Sequence, residues 1–408
     1  MKVLHLNYHQ NQGGASIACN RLVQALNLND IKSELLVSEK TNESKTTIGQ
    51  FNNFNEISVH KLKKILSIYI KKILKSENIY KDSIAFFNSG LPKIIEKLDH
   101  DIINLHWVSN EMISIEEIRK IKKPLVWTLL DMWPFIGSAH YTNKNYFSKI
   151  NNKTSFFDIN EWVLNRKKKN FHRDIRIVCI SNWLKKHAEE SEVLKNNIIE
   201  TIPCTLDTNM WKPIEKNLAR EILGYEKNKK HILFSAFNGI NDNRKGFDLF
   251  LNSLEKTEIK SKDFTIVIMG NCNGLKNFKN NTKFKYIMYE NSSNADHILL
   301  RLINSACDLV VMPSRLEALG QVALEAGSCG VPCVSFKETG AEDIIDHKIN
   351  GYLANYLSIE DLSKGIDFLL EEKNNSNLSV EIRKKVENNF SYEQISKKYK
   401  KIYDEIAK

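Results

Sequence analysis

Ten short runs of mostly apolar residues, rich in Ile, Val and Leu, alternate with helical stretches along nearly all of this 408-residue chain. Such alternation predicts parallel sheets that are covered by helices on both faces. The runs form two series of five, separated by the polar stretch 203–213, which begins and ends with proline. They occupy residues 3–7, 33–38, 102–107, 124–130 and 176–180, then 231–237, 264–270, 285–289, 308–314 and 331–336. We therefore expect an α/β protein with two doubly wound, Rossmann-like domains.

Length and composition agree with two domains. A chain of 408 residues exceeds one ordinary hydrophobic core, and a content of 42% hydrophobic and 26% charged residues excludes intrinsic disorder. The chain contains no run of about 18 apolar residues, so we expect no transmembrane helix. Residues 1–7 resemble a buried strand more than a secretory signal, so we expect a cytoplasmic protein. The seven cysteines are dispersed, and Cys329 and Cys333 lack zinc-site spacing, so we expect reduced thiols and no metal.

Positive charge is concentrated in the first half of the chain. Residues 1–200 contain 30 Lys and Arg against 21 Asp and Glu, whereas residues 201–408 contain 29 against 28. An excess confined to one half indicates that this half meets an anionic partner. No nucleic-acid-binding motif accompanies the charge, so we do not expect nucleic acid to be that partner.

Residues 60–75 combine apolar residues at helical spacing with six lysines. Such a basic amphipathic helix can lie on an anionic membrane surface, where each lysine adds roughly 1 kcal/mol. It can equally be an ordinary surface helix whose apolar stripe packs on the core. A second basic run, 166–169 followed by Arg173, either extends the same basic surface or is a solvated face.

Ligands of doubly wound sheets bind beyond the carboxyl ends of the strands, so the residues that follow each run are candidates for a site. Gly13 and Gly14 follow the first run and precede a helix, where they either let backbone N–H groups approach an anion or form a tight turn. Arg244 and Lys245, followed by Gly246, begin a helix after run 231–237. They suit a diphosphate, or they form a solvated basic turn.

Aromatic and polar residues are dense after run 124–130. Leu130 leads into Asp131, Trp133 and His140, which form either the wall of a pocket or a packed loop corner. His106 lies at the end of the preceding run, where it either contacts a ligand or is a structural histidine.

Two carboxylates flank a helix start after run 308–314. The pattern predicts a helix over 320–328, which places Glu317 in the preceding loop and Glu325 inside the helix. Carboxylates accept hydrogen bonds from sugar and ribose hydroxyls, and the N–H groups around Leu319 and Gly320 can bind a phosphate.

These residues resemble the retaining glycosyltransferases of family 4, in which Glu, seven residues and Glu recur in this setting. The resemblance extends over the whole chain, from LNYHQNQGGAS to the final FSYEQISKKYKKIY. DMWPF, at residues 131–135, is similar to the bacterial exopolysaccharide and O-antigen transferases. The resemblance implies the GT-B fold: domains 1–202 and 203–385, an interdomain cleft, and a helix over 386–408 that crosses back to the first domain.

The resemblance also implies roles for residues. Glu317, Asp131 and Lys245 would be catalytic, and Glu317 would contact hydroxyls of the donor sugar. Further donor-binding residues would be Gly13, Gly14, Arg244, Lys245, Leu319, Gly320 and Glu325. Sugar or acceptor pocket residues would be His106, Leu130, Trp133 and His140. The implied activity is metal-independent, retaining transfer from a UDP- or GDP-linked sugar to a lipid-linked saccharide at the inner face of the cytoplasmic membrane, without a cofactor.

Three positions depart from the family pattern. Leu130 stands where the family usually has His, an Arg usual near position 239 is absent, and Cys204 replaces an Asn. Two interpretations of Leu130 follow. Either the chain is a working enzyme whose donor sugar lacks a 6-hydroxyl, as a 6-deoxyhexose or pentose does, or it is a non-catalytic relative that binds nucleotide or acts as a scaffold.

Overall fold

A computed structural model describes residues 1–74, 81–142, 158–171, 174–236, 239–271, 284–290 and 297–407. The chain divides into two compact units, Met1–Pro203 with Ser396–Lys408, and Cys204–Ile395. Lys75, Arg173 and Cys272 lie outside the described residues, as does Phe237 at the end of a predicted strand. Six other cysteines are buried, with free thiols.

The first unit contains a parallel sheet of seven strands in the order β3-β2-β1-β4-β5-β6-β7. The strands are β1 (Lys2–His9), β2 (Lys32–Glu39), β3 (Thr47–Gly49), β4 (Ile102–Leu105), β5 (Leu125–Leu129), β6 (Arg176–Cys179) and β7 (Ile199–Thr201). Leu6 of β1 lies opposite Leu36 on one side and Leu105 on the other. The central strands are buried on both faces, which explains their continuous apolar sequences.

Helices cover this sheet. They are α1 (Gly13–Leu28), α2 (Phe54–Ile73), α3 (Leu91–Lys97), α4 (Ile115–Ile118), α5 (Ile159–Asn170) and α6 (Asn182–Glu189). The last helix of the chain, α13 (Tyr392–Ile406), belongs to the first unit from Ser396 onward. Its Tyr403 hydroxyl accepts a 2.8 Å hydrogen bond from Asn104, and its Tyr399 hydroxyl is 3.0 Å from Thr128 Oγ1. These buried hydroxyls attach the C-terminal helix to β4 and β5.

The second unit contains a parallel sheet of six strands in the order β10-β9-β8-β11-β12-β13. The strands are β8 (Lys230–Ala236), β9 (Phe264–Gly270), β10 (Tyr286–Glu290), β11 (Leu309–Met312), β12 (Cys333–Phe336) and β13 (Tyr352–Ala354). Its helices are α7 (Lys216–Leu223), α8 (Phe247–Leu254), α9 (His297–Ala306), α10 (Gln321–Ser328), α11 (Ile359–Leu370) and α12 (Glu372–Phe390). A core with Phe234, Phe250 and Phe336 lies between sheet and helices.

All ten predicted strands are present, with small differences at their ends, so the prediction of two parallel, Rossmann-like sheets is confirmed. Three further strands, β3, β7 and β13, were not predicted from the sequence. Each has only three residues and lies at the edge of its sheet. Such short segments carry little periodic signal and are defined by the strand beside them.

Candidate functional site

The carboxyl ends of β8 and β11 lie side by side in the second unit because these two strands pair. The loops that follow them are joined by hydrogen bonds. Arg315 N donates to Arg244 O over 2.8 Å, and the Arg244 guanidinium donates to Leu316 O over 3.0 Å. The predicted basic turn and the predicted carboxylate loop therefore form one structure.

Lys245 and Glu317 form an ion pair at the centre of this structure. Lys245 Nζ is 2.6 Å from Glu317 Oε2, and Ser314 Oγ donates to the same oxygen over 3.1 Å. Burial alone would raise the pKa of Glu317, but the Lys245 and Arg244 cations hold it below its ordinary value. Burial lowers the pKa of Lys245, against the effect of Glu317. Glu317 is buried and Lys245 is half-buried, and charged groups with little water around them can bind charged or hydroxyl-bearing ligands strongly.

Glycines permit the two loops to approach each other. Gly246 has φ +71°, and a Cβ built there would lie 2.1 Å from Pro313 O. Gly320 has φ +105° and precedes α10, where it provides no side-chain cap. Leu319 is buried beside it, and Glu325 lies half-buried within α10. The start of α10 therefore presents backbone N–H groups close to Glu317, as an anion site requires.

In the family that the sequence resembles, an Arg usually lies near the position of Gly239. It has φ +64°, and a Cβ there would lie 1.8 Å from the backbone oxygen of Asn271. No side chain fits at this position without moving the loop after β9. Arg244 is the guanidinium that the structure places next to Lys245, with its charge partly offset by Asp242 at 3.4 Å.

Asp131 is the centre of a buried polar network in the first unit. Its Oδ2 accepts from Trp107 Nε1 over 2.9 Å and lies 2.6 Å from His140 Nδ1, and its Oδ1 accepts from Trp133 N over 3.0 Å. Burial would raise its pKa, but His140 and the other hydrogen bonds hold it below its ordinary value. His140 Nε2 is 2.9 Å from Ser83 Oγ. Asp131 and His140 thus orient Trp107, which lies half-buried at the end of β4.

Lys167 is a second component of this network, although its place in the sequence predicts only a member of the basic run 166–169. The side chain is fully buried and donates to the backbone oxygens of Trp133, Ile136 (2.8 Å) and Gly137 (2.7 Å). Its ammonium group also lies 4.0 Å from the Trp133 ring centroid. The sequence contained one indication of this burial. Lys167 lies one helical turn after the apolar Val163, which is also buried. The interpretation of 166–169 as a solvated or membrane-facing run is therefore wrong at Lys167.

His106 lies deep in the sheet. It is buried, its Nε2 is 2.9 Å from His5 Nδ1, and burial lowers its pKa to about 3. With Cys19 these histidines form a group whose ligand-type atoms lie within 4.8 Å of one another. Leu130 is half-buried just after β5, and Gly13, with φ +82°, begins α1. Whether His106, Leu130, Gly13 or Gly14 contacts a ligand stays a prediction.

Helix α2 packs on the first unit with its polar side. Lys64 pairs with Glu39 and Lys71 with Asp82, each at 2.8 Å. His60 and Ser67 are its buried residues, and Ser67 donates to Glu111 over 2.8 Å. The interpretation in which the apolar stripe of this helix packs on the core is therefore wrong.

The apolar side of α2 faces solvent instead. Phe54 is 77% exposed, and Ile65 and Tyr69 are each 62% exposed. The other exposed large apolar residues of the helix are Ile57, Val59, Leu62, Leu66, Ile68 and Ile73. None of the helices in the described residues has the length and apolar content of a membrane-spanning segment. A contiguous exposed apolar face of this kind indicates a surface that another molecule covers.

Two parallel-sheet, Rossmann-like units of this topology define the GT-B fold, the fold of many sugar-transferring enzymes. Residues 216–389, most of the second unit, match the family described as Glycosyl transferases group 1. The chain is similar to an uncharacterized glycosyltransferase of Methanocaldococcus jannaschii, with 26% identity over 57% of this chain and 60% of the relative. It spans about 60% or less of the length of the first curated relatives that it matches.

Solved structures agree on the fold. Sucrose-phosphate synthase from Thermosynechococcus elongatus has a TM-score of 0.71 at 14% identity and covers 99% of this chain and 98% of its own. Anabaena HepE in complex with UDP and glucose has a TM-score of 0.65 at 15% identity, covering 99% and 100%. WaaG, a glycosyltransferase involved in lipopolysaccharide biosynthesis, has a TM-score of 0.62 at 12% identity, covering 98% and 99%. The comparisons therefore show the GT-B fold and a match of residues 216–389 to the glycosyl transferases group 1.

Proposed function

We propose that the protein is a retaining glycosyltransferase that moves a sugar from a nucleoside-diphosphate sugar to a lipid-linked saccharide in bacterial surface polysaccharide synthesis. The observation that supports this most directly is the buried pair of Lys245 and Glu317 at the ends of two adjacent strands. Strand ends of this kind are where doubly wound sheets bind nucleotides.

Donor binding would use the charges and amides of the second unit. The Lys245 ammonium group and the start of α10 would bind the diphosphate, and Glu317 would accept hydrogen bonds from the sugar hydroxyls. Glu325, further along α10, would contact the ribose. Lys245 and Glu317 now bond to each other, so the donor would replace one strong contact with two.

Loss of the nucleoside diphosphate leaves negative charge on its phosphates, and we propose that the protein offsets this charge with cations and backbone dipoles. Lys245 and Arg244 supply the cations, and the N-terminal end of α10 supplies the dipole. Groups that are fixed by other contacts need little rearrangement as charge develops. Arg244 is fixed in this way, because its guanidinium donates to Leu316 O.

The donor base is uridine or guanosine, and the complex of HepE with UDP makes uridine the first to test. Leu130 stands where the family usually has His, and an apolar side chain there would pack against a sugar without a 6-hydroxyl. We therefore propose a 6-deoxyhexose or pentose donor. If the protein transferred sugar only from donors that have a 6-hydroxyl, this choice would be contradicted.

The acceptor side is assigned to the first unit and to α2. The exposed apolar face of α2 fits the acyl boundary of a membrane, and Lys61 and Lys72 are exposed on the same helix. Lys64 and Lys71 bond to the protein, so the apolar residues would supply most of the binding. We propose that the protein lies on the inner face of the cytoplasmic membrane, where lipid-linked saccharides are accessible.

Thermal unfolding in the presence of nucleotides tests the donor site, because a ligand at 100 times its Kd adds about 2.7 kcal/mol of stability. We expect UDP or GDP to raise the Tm of the wild-type protein and not that of Lys245→Met. Transfer of radiolabelled sugar to extracted lipid-linked saccharides then tests the reaction. A Tm increase without transfer from any donor would favour a non-catalytic relative that binds nucleotide. No increase with any nucleotide would refute the donor site and favour the non-catalytic scaffold.

A further inference from the structure

Two histidines and a cysteine meet in the core of the first unit. His5 lies within β1, His106 follows β4, and Cys19 lies within α1. All three residues are buried, with exposed fractions of 0%, 4% and 0% in that order. Their ligand-type atoms, an imidazole nitrogen from each histidine and the thiol sulfur, lie within 4.8 Å of one another. These are the atoms that bind soft and borderline metal ions in proteins.

The hydrogen bonding of the two imidazoles is incomplete. His5 Nδ1 lies 2.9 Å from His106 Nε2, and this contact uses one nitrogen of each ring. Within the described residues, the remaining nitrogens, His5 Nε2 and His106 Nδ1, have no hydrogen-bond partner. Two neutral rings joined by a single hydrogen bond retain one N–H and one lone pair, and a buried polar group that stays unpaired is costly. A lone pair of this kind is what a metal ion requires of an imidazole ligand.

The surroundings of the cluster are ordered and apolar. His5 lies in β1, which pairs with β2 on one side and β4 on the other, and His106 N donates to Leu6 O over 2.9 Å. Cys19 belongs to a cluster of buried apolar residues that also contains Val23, Leu35 and Val37. Atoms that bind one metal ion at about 2.0–2.3 Å lie roughly 3–4 Å apart, so only small side-chain rotations are needed to close the site.

The ligand types and their burial select among metal ions. Thiolate and imidazole ligands suit copper and zinc, and a trigonal set of two histidines and one cysteine is typical of copper. Structural zinc usually takes four protein ligands, whereas the group found among the described residues has three members. A thiolate with two neutral imidazoles carries one negative charge, which Cu(I) neutralises and Zn(II) exceeds. Because an uncompensated charge in a buried apolar site is costly, the neutral Cu(I) complex is favoured.

We propose that His5, Cys19 and His106 form a binding site for a Cu(I) ion. Binding breaks the S–H bond of Cys19, forms bonds from copper to the thiolate and to one nitrogen of each ring, and releases the thiol proton to solvent. The three residues are distant in the sequence, so no ligand spacing marks the site, and the expectation of no metal rested on Cys329 and Cys333. The ion would join β1, β4 and α1 and stabilise the first unit, a role that is independent of the proposed function.

Metal content of the full chain tests this site without any need for activity. The protein is produced in copper-supplemented cells and purified without oxygen, because a fully buried site binds its metal most readily as the chain folds. Elemental analysis should then give about one copper per chain, and X-ray absorption should show sulfur and nitrogen neighbours together. The loaded protein should also have a higher Tm than protein from copper-depleted cells.

Two cysteine variants make the test specific. Cys19→Ala removes the thiolate, and Cys179→Ala is its matched control, because Cys179 is also a fully buried free thiol of the first unit. We expect Cys19→Ala to lose the bound copper and the Tm increase, and Cys179→Ala to keep both. Each variant is compared with itself in the presence and absence of copper, so a general loss of stability does not imitate the expected result.

His106→Gln is a second test, which applies even where Cys19→Ala does not fold. Competition with a chromogenic Cu(I) chelator should show that this variant binds Cu(I) roughly 100-fold more weakly or worse, since loss of an outer-shell group alone costs about 10- to 100-fold. An unchanged affinity would refute the assignment of His106 as a ligand.

Three results would overturn the site itself: wild-type protein without copper, equal copper content in Cys19→Ala, or bound copper with sulfur neighbours alone. Zinc in place of copper after growth with both metals would refute the choice of ion. None of these measurements depends on sugar transfer or nucleotide binding, so failure of the proposed function leaves them unchanged.

Discussion

Lys245 and Glu317 are 72 residues apart in the chain, yet their charged groups lie 2.6 Å apart at the ends of β8 and β11. Each charged group is the bonding partner of the other. Removing one partner leaves the other as a buried, unpaired charge, which is costly. Lys245 is assigned to the diphosphate and Glu317 to the sugar hydroxyls. Substitutions of the two residues can therefore be tested separately.

Substitutions in this pair should affect different parts of the donor. Lys245→Met should lose the Tm increase with both UDP and a UDP-sugar, because the phosphate contact is gone. Glu317→Gln should keep the increase with UDP and lose the additional increase with the sugar. A hydrogen bond to a charged group is worth about 1.5–3 kcal/mol, so each affected Kd should rise roughly 10- to 150-fold.

Lys256→Met is the control for these variants, since Lys256 pairs with Glu360 at an exposed position of the same unit. It should bind UDP as the wild-type protein does. If Glu317→Gln lost the Tm increase with UDP as completely as Lys245→Met does, the separate assignment of phosphate and sugar contacts would be wrong.

Acid should remove the contribution of Glu317 to stability. The folded pKa of this carboxyl is below its ordinary value, so its ionised form stabilises the fold above the unfolded pKa of about 4.3. That contribution is lost as pH falls through the lower folded value. Urea unfolding of wild type and Glu317→Gln from pH 7 to pH 3 should therefore show a stability difference that shrinks below about pH 4.3. A difference that stays constant would contradict the ion pair.

Membrane binding should depend on the apolar side of α2. The triple change Leu62→Ser, Ile65→Ser and Tyr69→Ser removes three exposed side chains, each worth about 1.5–3 kcal/mol when fully buried. Sedimentation with vesicles that contain anionic lipid should show binding reduced well over tenfold. The fold should be retained, because these side chains do not pack on the core.

Two further variants make this test specific. Ile222→Ser changes an apolar residue on α7 that is also exposed, and it should bind vesicles normally. Lys61→Gln with Lys72→Gln should weaken binding mainly at low salt, where surface charge is least screened. Undiminished binding of the triple variant would exclude the apolar face as the membrane contact.

Lys167 should be required for stability. Lys167→Met leaves three backbone oxygens of the Trp133 loop without their donor, although it also removes a buried charge. We expect the free energy of unfolding to fall by about 3 kcal/mol. Urea titration followed by tryptophan fluorescence measures this change. Lys169→Met, at an exposed position two residues later, should be neutral within about 0.5 kcal/mol.

Local sequence was sufficient to predict the sheets and the loops that carry the candidate residues. The apolar runs mark every strand of more than three residues, because a strand buried on both faces needs a continuous apolar sequence. Glycine and charged residues after β8 and β11 marked the two loops of the candidate site before their contact was known. The helix that carries Glu325 was also predicted, from its periodic apolar residues and the Gly330 that follows it.

Local patterns in the chain were enough to predict the fold class, the two series of strands and the loops that hold the candidate residues. The contact of Lys245 with Glu317, the exposure of the apolar side of α2 and the burial of Lys167 became visible only in the folded protein. Periodicity shows that a helix has two different faces, but not which face meets the protein. That choice depends on Glu39, Asp82 and Glu111, which lie outside the helix sequence and contact α2 only after folding.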